Sequence, residues 1–224
     1  FAFYLGIINL MPYLYPHYKI NHLFFSKWSQ AMAYVLGFWF ADGYMRHEKS
    51  YRVVFSSKDV EHLEDIRTLI SSTHKLVTHG ESKDLIIFSK KLFNSLKKLG
   101  GIRKKSLVMK FPKIPDVYLA DFIRGYFDGD GSVHLVSYIR TKDKKKQIDL
   151  RCNFTSGSPN FLNTLRDILS KKLNLSPRKI CSYGDGNQWK LGYGTKDTKL
   201  LLKFMYYPKH TISLSRKADY LKYC

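Results

Sequence analysis

Val35-Leu36-Gly37-Phe38-Trp39-Phe40-Ala41-Asp42-Gly43 is matched, 88 residues further on, by Ile123-Arg124-Gly125-Tyr126-Phe127-Asp128-Gly129-Asp130-Gly131. Both stretches run from a bulky apolar residue through glycine and aromatic residues to a small residue, then end in Asp-Gly. One short match carries little weight, but the register continues. Phe55-Ser56-Ser57 aligns with Phe154-Thr155-Ser156 at a spacing of 99, Phe88-Ser89-Lys90 with Gly194-Thr195-Lys196 at 106, and Lys105 with Lys217 at 112. The order never reverses and the spacing only grows, as a duplicated unit with modest insertions in its second copy requires.

Local patterns describe the unit. Ser29 is placed to cap a helix running through Asp42, and Asp116, after Pro115, one running through Asp130. Strands follow. Ile148, Leu150, Cys152 and Phe154 alternate with Asp149, Arg151, Asn153 and Thr155, and Tyr51, Val53 and Phe55 with Arg52, Val54 and Ser56. This period of two gives an apolar face and a polar, partly basic one. Helices are expected near 59–71 and 158–173, then strands at 75–79, 84–88, 178–183 and 188–193, with a closing helix in each half. The second copy has a longer first hairpin, tipped by Lys142, Lys144, Lys145 and Lys146. The expected fold class is α+β, a pseudo-two-fold repeat of α-β-β-α-β-β-α units. Residues 1–20 form an N-terminal extension, 21–99 the first half, 100–115 a Gly- and Pro-containing linker and 116–224 the second half.

The balance of 38 basic against 18 acidic residues, a net +20, implies a polyanionic partner, because so large a surplus repels itself in a compact domain unless neutralised. Lys and Arg spread along the whole chain favour nucleic acid over a membrane surface, where charge concentrates on one amphipathic segment. No run reaches the length needed to span a bilayer, and the aromatic stretch 1–18, broken by Pro12 and Pro16, lacks the basic start of a signal peptide. Cys152, Cys181 and Cys224 are odd in number and widely spaced, which supports neither disulfides nor a zinc site. A reduced compartment is expected: bacterial or archaeal cytoplasm, or an organelle matrix, and not secretion.

Gly37 and Ala41, and likewise Gly125 and Gly129, stand four apart, so each helix presents small residues on one face and two backbones have room to approach. Each helix then ends in an aspartate followed by a glycine suited to left-handed termination. A carboxylate facing the negative end of the helix dipole is disfavoured by about 0.3–1 kcal/mol. A divalent cation reverses that penalty. If the small-residue faces pack together, Asp42 and Asp130 meet, and their carboxylates with backbone carbonyls and water make an oxygen site for Mg²⁺, with Mn²⁺ or Ca²⁺ as substitutes. Such an ion activates water and offsets charge on a scissile phosphate. The polar strand faces then form a saddle of antiparallel sheets facing DNA, with the motif helices packed at its centre.

From about residue 20 onward the chain resembles the LAGLIDADG homing endonucleases in their monomeric, two-motif form. The resemblance implies site-specific cleavage of a long, asymmetric double-stranded DNA target across the minor groove, with 3′ overhangs, by an enzyme encoded in an intron or intein. It makes Asp42 and Asp130 the catalytic metal ligands, with the carbonyls of Ala41 and Gly129 beside them. It adds a late basic residue in each half, Lys105 or its neighbour Lys104, and Lys217 or Arg216. Ser57 and Ser156 correspond to the polar position ending the second strand. Phe40 stands where Asp128 supplies an acid in the second copy, and Leu36 and Arg124 replace the family's alanine, so Arg124 is expected to face solvent or DNA.

The polar strand faces supply the remaining expected DNA contacts: Arg46, Glu48, Arg52, Lys75, His79 and Lys83 in the first half, and His134, Tyr138, Arg140, Arg151, Asn153, Lys179, Tyr183, Gln188 and Lys190 in the second. A solvated sheet face has a similar composition, so these assignments rest on the positive excess. The run 142–146 reads as a phosphate-contacting tip. His62, His74 and His210 read as surface residues, and the motif aromatics as core. The Asp128-Gly-Asp130 string is not an EF-hand loop, since glycine falls at the wrong position and no twelfth-position acid follows. Two other readings use the same fold without needing cleavage: an RNA maturase for a host intron, and a DNA-binding regulator.

Overall fold

The computed structural model describes residues 18–224 apart from positions 104, 177 and 185; most of the N-terminal extension therefore lies outside the described residues. The first half comprises α1 (Gln30–Asp42), β1 (Gly43–His47), β2 (Tyr51–Ser57), α2 (Val60–Leu69), β3 (Leu76–His79), β4 (Ser82–Phe88) and α3 (Lys90–Lys98). The second comprises α4 (Leu119–Asp130), β5 (Gly131–Ile139), β6 (Lys146–Ser156), α5 (Pro159–Leu173), β7 (Ile180–Tyr183), β8 (Gln188–Tyr193) and α6 (Thr195–Met205), followed by the short α7 (Ser215–Ala218). Each half holds one antiparallel four-stranded sheet, ordered β1-β2-β4-β3 and β5-β6-β8-β7. The α+β fold with two repeated units is as the sequence predicts.

Serine hydroxyls start several of the helices. Ser29, Ser89 and Ser158 each accept the backbone N–H three residues on, at 3.1, 3.1 and 3.4 Å. Asp116 does not cap α4. It opens a 3₁₀ turn, Asp116–Tyr118, and α4 begins at Leu119 without a side-chain cap, because Pro115 fixes an extended entry that the tighter turn converts into helix.

The two motif helices cross at the centre, where Tyr34, Phe38, Trp39, Phe40, Phe122 and Phe127 are all buried. Glycine makes the crossing possible. A β-carbon at Gly37 would lie 2.0 Å from the Phe122 carbonyl oxygen, and one at Gly125 would lie 2.0 Å from that of Tyr34. Each sheet covers one side of this helix pair with its apolar face, Met45, Val53, Phe55, Leu85 and Ile87 in the first half and Cys152, Phe154, Leu191 and Tyr193 in the second. The hairpin β5–β6 outgrows its counterpart, and Leu135, Ile139 and Ile148 are exposed along it.

Candidate active site

Because α1 and α4 pack backbone to backbone, their C-termini bring Asp42 and Asp130 together. Gly129 makes the room: a β-carbon there would stand 2.4 Å from that of Ala41 and 3.1 Å from Asp42 Oδ2. The glycines after the aspartates work differently from expectation. Gly43 (φ −98°, ψ 161°) and Gly131 (φ −89°, ψ 163°) are extended, not left-handed, and lead directly into β1 and β5. Glycine is required because the Trp39 and Phe127 rings fold back over these positions, each 2.2 Å from where a β-carbon would be.

The helix ends also receive cations from the chain itself. Lys105 Nζ donates to the carbonyls of Phe40 (2.6 Å) and Ala41 (2.8 Å). Lys217 Nζ donates to those of Phe127 (2.6 Å), Asp128 (2.7 Å) and Gly131 (2.7 Å), and more distantly Gly129 (3.4 Å). Each ammonium satisfies carbonyls that the last helical turn leaves open and sits at the negative end of the dipole. Lys217, and not Arg216, is the inward residue of its pair: Lys217 is buried, whereas Arg216 pairs with Asp59. Lys105 likewise points inward, and Lys104 lies outside the described residues.

Burial governs the charges here. It raises Asp42 above the ordinary carboxylate range, an effect that Lys105 and Lys217 oppose. Burial, then repulsion from Asp42, pushes Asp130 up to about 7 against the same two lysines. Desolvation lowers Lys105 and Lys217 to about 8, opposed by the nearby aspartates. Among the described residues no protein donor reaches either carboxylate, since the lysines are spent on carbonyls and Thr155 Oγ1 donates to the Asp130 backbone oxygen (2.7 Å). Two half-buried, mutually repelling carboxylates without protein donors, in an all-oxygen setting, fit a hard divalent cation. The Ala41 and Gly129 carbonyls each keep a lone pair beyond the one a lysine takes.

Two cavities flank the pair. One of about 350 Å³ holds Asp130, Lys105, Thr155, Ser156, Tyr183, Asn187 and Gln188. The other, about 260 Å³, holds Asp42, Ser56, Ser57, Asp59, Gly129 and Arg216. Tyr183 and Gln188 therefore lie in the cavity beside Asp130 as well as on the sheet. Ser57 and Ser156 line the cavities, but their hydroxyls accept the N–H groups of Asp59 (3.0 Å) and Ser158 (3.1 Å), so both shape the turns into α2 and α5. Strand alternation turns their predecessors, Ser56 and Thr155, toward the outer face. Period-two alternation from Phe55 and Phe154 places both on the polar faces, but they are absent from the expected site residues, among which Ser57 and Ser156 stand instead.

On the outer sheet faces the ladder aligns Arg46 with Arg52, His134 with Arg151, Tyr138 with Gln147, Asn153 with Gly192, and Tyr183 with Gln188, while Lys190 lies opposite Thr155. Lys75 and His79 alternate with Leu76 and share that face. Glu48 lies at the β1–β2 turn, Arg140 at the β5–β6 turn, where it pairs with Asp143, and Lys179 just before β7. Lys83 is a correction. β4 begins at Ser82, which places Lys83 opposite Ser57 and Thr78 on the face that carries Leu85 and Ile87. Its Nζ donates to Thr78 Oγ1 (2.7 Å).

Three further expectations are overturned. Arg124 is fully buried: it donates to the carbonyls of Ile212 (2.9 Å) and Met205 (2.8 Å) and to Asp121 (2.8 Å), which ties α4 to the C-terminal segment. His62 is buried against the Tyr34 hydroxyl (2.9 Å), and burial lowers its pKa. His74 is buried too, held by Ser72 (2.9 Å). Asp128, the acid that Phe40 lacks, is a structural acceptor. It takes hydrogen bonds from Tyr34 (2.6 Å), Tyr206 (2.5 Å) and the Leu214 N–H (2.9 Å), which fixes the approach to Lys217. Phe40 instead packs on Phe122 and Phe161.

Residues 118–202 match the LAGLIDADG-like domain. Solved structures with the same fold include meganuclease I-SmaMI bound to uncleaveable DNA (TM-score 0.63, 15% identity, 88% of this chain and 90% of that one). LAGLIDADG meganuclease I-AabMI bound to uncleaved DNA (0.61, 15%, 84% and 87%) and the I-LtrWI LAGLIDADG homing endonuclease bound to target DNA (0.60, 12%, 87% and 89%) are similar to the same degree. The sequence matches no curated protein. Residues 118–202 thus match a LAGLIDADG-like domain, and the described residues have the two-motif LAGLIDADG fold. Among the described residues no helix is long and apolar enough to cross a membrane.

Proposed function

We propose that the chain is a site-specific double-stranded-DNA endonuclease that lays a long asymmetric target along its two outer sheet faces and hydrolyses one phosphodiester in each strand. The observation that carries this reading is the mutually repelling pair Asp42 and Asp130, set between two cavities, one lined by Lys105 and the other by Lys58 and Arg216. Net charge of +20 supports the partner, and the relatives of this fold are described as bound to DNA. Two motifs in one chain complete the pair, so the enzyme acts as a monomer. Cleavage across the minor groove with 3′ overhangs follows from the same resemblance.

In this reading Asp42 and Asp130 hold one or more divalent cations of the Mg²⁺ type. No His or Cys and no third acid joins them in a cluster among the described residues, so the remaining oxygens come from Ala41, Gly129, water and phosphate. A bound cation supplies charge to the scissile phosphate and acidifies water. Lys105 and Lys217 hold the helix ends rigid and keep positive charge near both aspartates, where the leaving strand's charge develops. The rigid helix crossing fixes the spacing of the two aspartates, and hence of the two cuts.

A plasmid library of candidate insertion sites, incubated with Mg²⁺ and sequenced at its ends, tests the proposal. Wild-type protein should yield paired ends at one site, and Asp42→Asn and Asp130→Asn should abolish them. Binding to recovered DNA with no cleavage by the wild type selects the regulator, and intron-RNA splicing without cleavage the maturase.

A further inference from the structure

The two cavities beside the paired aspartates have unlike walls. Beside Asp130, Lys105 is the one cation among the described lining residues, set with neutral partners such as Thr155, Tyr183 and Gln188. Beside Asp42 stand Asp59 and Arg216, which also line an adjoining cavity of about 480 Å³. Asp59 comes from the first half and Arg216 from the second, so their two-pronged pair, Nη2 to Oδ2 at 2.9 Å and Nε to Oδ1 at 3.2 Å, spans the seam between the repeats.

Among the described residues this pair has no equivalent beside Asp130. At the spacing that carries Phe55 to Phe154, Asp59 corresponds to Ser158, which is neutral, buried and committed: its hydroxyl donates to the Met109 carbonyl (2.7 Å) and accepts from Phe161 N–H (3.4 Å). The Asp59–Arg216 pair, in contrast, is accessible, with side-chain exposures of 33% and 60%. An exposed ion pair is weakly held, and a guanidinium fork fits phosphate oxygens as well as it fits a carboxylate. A phosphodiester entering the Asp42 cavity therefore meets an arginine already aimed and easily exchanged from its partner.

We propose that Arg216 is a strand-specific phosphate-binding residue, that Asp59 is its positioning residue, and that together they make cleavage of the two DNA strands unequal. The strand entering the Asp42 cavity is cut with Arg216 on its phosphate; the strand entering the Asp130 cavity is cut without an arginine held in place by an acid. This inference rests on the endonuclease reading.

The test uses the duplex recovered from the site library, with a different fluorophore on each 5′ end, so that both strands are timed in one reaction with Mg²⁺. Arg216→Gln should slow one strand by about tenfold or more and leave the other within about twofold, so that a nicked duplex accumulates. Asp59→Asn should slow the same strand by a smaller factor. The unaffected strand reports intact folding within the same tube. Equal slowing of both strands, or no change in either, overturns the inference while leaving the endonuclease reading in place. A wild type that binds this duplex and cuts neither strand overturns both.

Discussion

Gly37 meets Phe122 backbone to backbone: a methyl group at Gly37 would have to occupy space 2.0 Å from the Phe122 carbonyl oxygen. Neither partner can yield, since both belong to helices held by their own hydrogen bonds. Gly37→Ala, and by the same geometry Gly125→Ala, should therefore destabilise the fold by at least about 3 kcal/mol in urea titrations. Gly194→Ala, where no atom lies within 4 Å of the new methyl, should stay within about 1 kcal/mol. Equal effects at the three sites would mean that the helices do not cross at their glycines.

The charge state of Asp130 predicts a pH-dependent stability. Its carboxyl titrates near 7 in the fold against an ordinary 3.8, so the folded protein holds the proton more tightly than the unfolded chain. Ionising it destabilises the fold, and the penalty accrues as pH rises from about 4 through 7. Asp130→Asn should exceed wild type at pH 8 by on the order of 2–4 kcal/mol and match it at pH 4. Mg²⁺ should raise the wild-type Tm at pH 8, where the ligand is ionised, far more than at pH 5.5, and should do little for the variant. Melting curves over a pH series, with and without Mg²⁺, decide the matter.

Lys105 and Lys217 touch helix carbonyls, not the outer sheet faces. Substituting either by Met should slow cleavage on the order of a hundredfold while changing DNA affinity less than about threefold, as measured by single-turnover assays and fluorescence anisotropy. Parallel losses of rate and affinity would instead make them phosphate anchors.

Strand parity separates residues of similar appearance. Arg52→Ala and Arg151→Ala, on the outer faces, should weaken DNA binding and each reduce the salt dependence by about one counterion. Lys83→Ala, on the opposite face, should leave both quantities unchanged. A Lys83 effect as large as that of Arg52 would show that DNA wraps beyond the saddle.

Arg124 should behave as a core residue. Arg124→Leu strands Asp121 as an unpaired buried charge and frees two carbonyls, a loss of about 3–5 kcal/mol. Adding Asp121→Asn should recover part of it, which a double-mutant cycle measures directly.

The duplication was legible because close packing imposes the same demand twice: no other residue fits at Gly37 or Gly125, so both copies keep the pattern. The strands were legible through alternation, and the acids through their place at the helix ends. What escaped the reading depends on partners remote in sequence. Arg124 looks solvent-facing until its acceptors, 81 and 88 residues away, are known. The lysines were assigned by resemblance, and nothing local to Lys105 or Lys217 reveals that they cap α1 and α4. Lys83 was misassigned because the β3–β4 turn closes at 80–81 and starts β4 earlier than its apolar run implies. Gly43 and Gly131 seemed to need left-handed backbone because the Trp39 and Phe127 rings that exclude a side chain there have no signature in the string.

Asp128 also sets a limit on how this architecture can be rebuilt. Its acceptor oxygens depend on the Tyr34 hydroxyl, contributed by the opposite motif helix, and the position equivalent to Tyr34 in the second copy is Phe122. A homodimer assembled from two second halves would place Phe122 against each Asp128 and deprive both carboxylates of that donor. A homodimer of first halves would set a Phe40 ring against each Tyr34 and have no acceptor for the segment ahead of its late lysine. The halves are no longer interchangeable parts. Any redesign toward symmetric, palindromic targets must change residues 34 and 122 together with 40 and 128.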